Sequence, residues 1–124
     1  ILPIWRQGIA GLTWNEENPL GYRSPWHPGA WVNRRRSRAV RKIQDLGMIL
    51  DVSHLNDASF WDLLDTATGP VVATHSNCRA LCNRPRNLMD DQLKELARTG
   101  GIVGSIHSTN SFIWRKISRL WKTW

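Results

Sequence analysis

Residues Asp51 to Leu88 read DVSHLNDASFWDLLDTATGPVVATHSNCRALCNRPRNL, and this pattern decides the fold. Two short apolar runs, Met48-Ile49-Leu50-Asp51-Val52 and Pro70-Val71-Val72-Ala73-Thr74, lead into histidines, His54 and His75. Between them, Phe60, Leu63 and Leu64 recur at helical spacing within Leu55 to Thr66. A strand, a crossover helix and a second strand in this length make a βαβ unit with parallel strands. In such sheets the carboxyl ends of the strands carry the chemistry. His54 and His75, 21 residues apart, are therefore expected at one rim, within reach of a single metal ion.

The flanks extend the same alternation. Val40, Ile43 and Leu46 make an amphipathic helix face that stops at Gly47. After His75 the chain turns through Asn77 to Arg86. A helix then starts near Leu88-Met89-Asp90-Asp91, with Asp90 as N-cap and Leu93, Leu96 and Ala97 as its buried stripe. Gly100-Gly101 stops it, and Ile102-Val103 begins a third strand. Upstream, Ile9 to Leu12 is a short apolar lead followed by a turn, Leu12-Thr13 reads as a strand end, and Asn15 to Pro19 is loop chemistry. The class is α/β.

Charge sits elsewhere. The chain has 124 residues and a formal net charge of +7, which suggests a nucleic-acid partner. Yet ten of its 17 basic residues lie in 34–42 and 115–122. The seven that remain are outnumbered by ten acidic side chains. The basicity belongs to two segments and argues against a nucleic-acid-binding module. No run of ~18 apolar residues is present, so no transmembrane helix is expected. Cys78 and Cys82 stand four apart. Two thiols fall short of the four ligands a structural zinc site takes. Small buried residues beneath the rim, or a disulfide, are the readings left.

A family resemblance rests on several ordered motifs. Leu46 to His54 (LGMILDVSH), Thr74 to Cys82 (THSNCRALC) and Arg84 to Leu88 (RPRNL) resemble the membrane (renal) dipeptidase family of the amidohydrolase superfamily. Leu12-Thr13-Trp14-Asn15 with Asn18-Pro19-Leu20, and Thr99 to Gly104, are similar to its segments on either side. The likeness is dense over 46–104, patchy over 1–20 and poor over 21–38 and 105–124. It implies a partial TIM (β/α)8 barrel of about three βα units, with 1–124 a fragment of one barrel domain, because a whole barrel takes roughly 250 residues.

The resemblance implies zinc-dependent hydrolysis of dipeptides. A lone histidine at a strand end is ordinarily structural. Two of them, each inside a family motif, become ligands of one zinc of a binuclear pair: His54 and His75. Arg86 matches the arginine that binds the substrate's carboxylate terminus, where a planar guanidinium makes two parallel hydrogen bonds. Asp51 is expected to brace the strand end or a ligand histidine. Arg79 and Arg84 are expected to be solvated. Trp14 stands where mammalian-type relatives carry a substrate-contacting histidine, and is read as an aromatic wall. The remaining ligands and the bridging group are expected outside 1–124, so no catalytic residue is assigned within it and the fragment is expected to be inactive alone. A dipeptide is the implied partner, with membrane anchoring of the full-length protein and a homodimer left open.

Two segments depart from this pattern. In 21–38, a solvated basic loop, an arginine-rich arm with tryptophan for stacking, and a frameshift compete. Residues 31–38 can be encoded so that reading one base later gives Gly-Leu-Thr-Glu-Glu-Gly-Arg, which suits the family motif. In 105–124, Ile113, Ile117, Leu120, Trp121 and Trp124 fit a basic amphipathic helix or a second frameshifted stretch. Both segments are expected to pack poorly. A catalytically dead barrel remnant is the leading rival to an active dipeptidase.

Overall fold

Strands and helices alternate along the chain in the computed structural model, which describes residues 8–14, 18–20 and 34–106. The elements are β1 (Ile9–Gly11), α1 (Arg34–Asp45), β2 (Ile49–Asp51), α2 (Asp57–Thr66), β3 (Val71–Ser76), α3 (Asp90–Arg98) and β4 (Val103–Ser105). The strands lie in the order β1-β2-β3-β4, all parallel. Ile9 pairs with Ile49, Leu50 with Val71, and Ala73 with Val103. Parallel strands in sequential order with intervening helices form an arc of a (β/α)8 barrel.

Local chemistry sets the helix ends. Asn56 Oδ1 accepts from the Ser59 amide at 2.8 Å, so α2 begins at Asp57, two residues later than the apolar pattern suggests. Gly47 ends α1 at φ 74°: its amide donates to the Gln44 carbonyl, and the next amide, of Met48, donates to Ile43. Gly100 ends α3 in the same way at φ 78°, with amides of Gly100 and Gly101 donating to Ala97 and Leu96. This is the paired-bond glycine stop, and only glycine adopts that φ without strain.

The core lies between the sheet and its helices. Leu50, Val71 and Ala73 on the strands, with Val52 just after β2, meet Val40, Phe60, Leu63 and Leu96 on the helices. Gly101 is required by space, since a Cβ there would lie 1.8 Å from the Val71 carbonyl oxygen.

Several expectations shift. Met89, not Asp90, holds the N-cap position of α3, and its amide donates to the Gln92 side chain. Gln92 is buried and Ala97 exposed, because Gln92 also reaches Asp57 on α2. Leu46 is 49 % exposed, beyond the last turn of α1. Residues 34–38 form the start of α1, and Arg36 is 3 % exposed, beside Asp62 at 3.6 Å. Arg36 therefore packs against α2, while Arg35 and Arg38 are exposed. Ser105 and Ile106 are latched by hydrogen bonds to the Asn77 side chain. The expectations for 21–33 and 107–124 lie outside the described residues.

Candidate metal centre

The chain beyond β2 turns at once, with the amides of His54 and Leu55 both donating to the Val52 carbonyl. That turn places His54 over the end of β3. His75 sits within β3 itself, one residue before its end. The two imidazoles converge, with Nε2 to Nε2 at 2.6 Å. His54 is 8 % exposed, and the His75 side chain 33 %. The buried partner supplies rigidity, and the half-buried one supplies access.

Asp51 organises this corner. Its Oδ1 accepts from the Ser53 amide at 3.0 Å, the Ser53 hydroxyl at 2.7 Å and the Thr74 amide at 3.1 Å. Its Oδ2 accepts from the Thr74 hydroxyl. Burial alone pushes the Asp51 carboxyl up; the hydrogen bonds from Thr74 and Ser53 outweigh it and hold the group below the ordinary aspartate value. Asp51 stays ionised at neutral pH, 4.0 Å from His75 Nδ1.

Trp14 closes one side. Its ring centroid lies 4.4 Å from that of His54 and 5.6 Å from that of His75. Trp14 is 64 % exposed, so the opposite face of the indole is free to meet another molecule. An open cavity of about 400 Å³ is lined by Gly11 to Trp14, Asn18, Asp51, Ser53 and the two histidines.

Two neutral imidazoles suit zinc. Zn–N bonds of 2.0–2.1 Å put two ligand nitrogens roughly 3–4 Å apart on a tetrahedral ion. The rings need to part by about 1 Å to admit it, so the pair fits the metal. Among the described residues no histidine, cysteine or carboxylate completes a set of three ligands around them.

Arg86 approaches His75 from behind. Its Nη2 donates to the His75 carbonyl at 2.8 Å, while its buried Nε has no partner among the described residues. Arg86 is not among the described residues lining the cavity. Arg79, expected to be solvated, is instead a clamp. It grips Asp57 with Nη1 at 2.8 Å and Nη2 at 2.6 Å, and holds the carbonyls of Asn87 and Pro85, each at 2.8 Å. The hydrogen bonds to Asp57 raise the Arg79 pKa above its ordinary value, against the opposing effect of burial. Those two carbonyls flank Arg86, so Arg79 sets the backbone from which Arg86 projects. Asp57 lies 22 positions away in sequence, and neither residue alone signals the pair. The thiols of Cys78 and Cys82 are free, which answers the disulfide reading.

Residues 8–118 match the sequence profile of the membrane dipeptidase family, peptidase family M19. The chain belongs to the membrane dipeptidase family. Family relatives agree with the fold. A solved metallo peptidase from Rhodobacter sphaeroides, liganded with a phosphinate mimic of the dipeptide L-Ala-D-Ala, superposes with a TM-score of 0.71 at 33% identity. The superposition covers 78% of this chain and 29% of that one. An uncharacterized dipeptidase of Schizosaccharomyces pombe is 32% identical over 74% of this chain and 23% of its own length. An uncharacterized Klebsiella pneumoniae protein from the pqqA 5′ region is 47% identical over 60% of this chain and 27% of its own. The chain thus spans about a quarter of the length of these two curated relatives. The family profile also runs across 21–33 and much of the tail, where the motif likeness is poor.

Proposed function

We propose that this chain carries part of the active site of a zinc-dependent dipeptidase, with His54 and His75 as ligands of one zinc ion. The observation that carries the reading is the convergence of the two Nε2 atoms at 2.6 Å beside a cavity, in a chain of the dipeptidase family. Zinc, when bound, supplies Lewis acidity toward a peptide carbonyl. The protein's own residues do the holding. Asp51 fixes the His75 end of the site, and Trp14 offers an apolar face to the substrate. The family resemblance gives Arg86 the free carboxylate of a dipeptide; it stands behind His75, held on that residue's carbonyl, and its side chain has to turn toward the cavity to meet substrate. Selection for a carboxylate near the scissile bond favours dipeptides over longer chains.

Zinc binding tests the reading. The full chain competes with a chromophoric chelator for zinc, and His54→Ala and His75→Ala each weaken it at least tenfold. Equal affinity in both variants and the unaltered chain would refute the metal assignment.

A further inference from the structure

The hydrogen bonds around Asp51 fix where the protons of the two hydroxyls beside His75 lie. An ionised carboxylate only accepts. Both hydroxyls beside Asp51 therefore give it their single proton: Ser53 Oγ to Oδ1, and Thr74 Oγ1 to Oδ2. Each hydroxyl oxygen is then left as an acceptor, and each faces His75. Ser53 Oγ receives the His75 backbone amide at 3.0 Å. Thr74 Oγ1 lies 2.8 Å from His75 Nδ1. Were the threonine proton turned toward Nδ1 instead, two bare oxygens would face each other at hydrogen-bond distance.

We propose that Thr74 is a positioning residue: its hydroxyl, oriented by Asp51, fixes His75 in the tautomer protonated at Nδ1 and so presents a bare Nε2 to the cavity. One carboxylate thereby governs both the backbone and the ring of His75 through two hydroxyls. The proposal rests on the zinc reading for its use, although the tautomer itself does not. Ligand histidines in general are held by a hydrogen bond at the second ring nitrogen; here that bond comes from a relayed hydroxyl.

The test uses the full 124-residue chain with ¹⁵N-labelled histidine, read by long-range ¹H–¹⁵N correlation at mildly alkaline pH. The His75 signals are assigned by their absence in His75→Ala. The expected pattern is a protonated Nδ1 and a bare Nε2 at His75. Thr74→Val, which keeps the shape and removes the hydroxyl, should bring in the Nε2–H form and weaken zinc about tenfold in chelator competition. Thr74→Ser should retain both properties. An Nε2–H signal at His75 in the unaltered chain, or an unchanged tautomer in Thr74→Val, would overturn the proposal. If the valine variant does not fold, the spectra of the unaltered chain and Thr74→Ser decide. Failure of the unaltered chain to bind zinc would sink the metal reading while the spectra still judge the tautomer.

Discussion

Removing the Arg79 side chain should loosen the segment that presents Arg86, by an amount the contacts allow us to estimate. Arg79→Ala deletes the fork on Asp57, whose side chain is 40 % exposed. Water replaces most of that interaction, leaving a loss of about 0.2–1 kcal/mol. The Pro85 carbonyl belongs to an exposed residue and also turns to water. Asn87 differs, being 3 % exposed. Its carbonyl loses the Arg79 Nε donor at 2.8 Å, and a poorly hydrated acceptor left unmet costs about 1–3 kcal/mol. The total is roughly 1–4 kcal/mol. Urea unfolding followed by circular dichroism measures it. Amide exchange locates it, at the amides of Arg79 and Leu88, which close this loop on Leu88 and Asn77. Arg79→Lys should lie between, keeping the charge without the fork or the Nε donor. A loss below about 0.5 kcal/mol with unchanged exchange would reduce the clamp to an ordinary surface ion pair.

Two glycines separate space from backbone angle. Gly101→Ala drives a Cβ into the Val71 carbonyl and should cost about 3 kcal/mol or more by thermal melting, whereas Gly100→Ala meets no atom within 4 Å and should cost only the left-handed strain, about 1–2 kcal/mol. Acid should unfold the chain partly through Asp51. Its folded value lies below the ordinary 3.8, so its contribution is present above about that pH and is lost as pH falls through the folded value. Asp51→Asn should flatten that limb of a pH–stability curve, and an unaltered acid limb would assign the loss to other carboxylates.

Periodicity made the fold legible where one face of an element meets the core. Phe60 and Leu63 fixed α2, and the apolar runs at 48–52 and 70–74 fixed two strands. Gly47 and Gly100 marked helix ends because no other residue takes those angles cheaply. The histidine pair followed from topology, since parallel strands deliver their ends to one rim. What stayed hidden depends on partners distant in sequence. Arg79 reads as a solvated arginine until Asp57 is placed opposite it. Gln92 reads as a polar surface position until its amide is seen closing the start of α3 and touching that same aspartate. Arg36 reads as part of a misframed basic run, yet its guanidinium is buried against α2. Thr74 carried no signal, because a β-branched residue late in a strand needs no reason beyond propensity.

The glycine stops at Gly47 and Gly100 bear on how such a chain tolerates exchange. Each joint redirects the backbone from helix to strand using two amide–carbonyl bonds and one left-handed angle, to which the α3 joint adds the Thr99 hydroxyl on the Leu96 carbonyl. A joint of that kind is indifferent to which helix precedes it. Helices α1 and α3 share almost no sequence, yet both hand over to a strand through the same device. Recombination that swaps one helix together with its glycine should therefore preserve the entry angle of the following strand. The histidine-bearing rim at the opposite strand ends would keep its register through such a swap. Catalytic geometry and helical packing can then drift independently, and libraries built by helix shuffling across these two junctions should retain the spacing of His54 and His75.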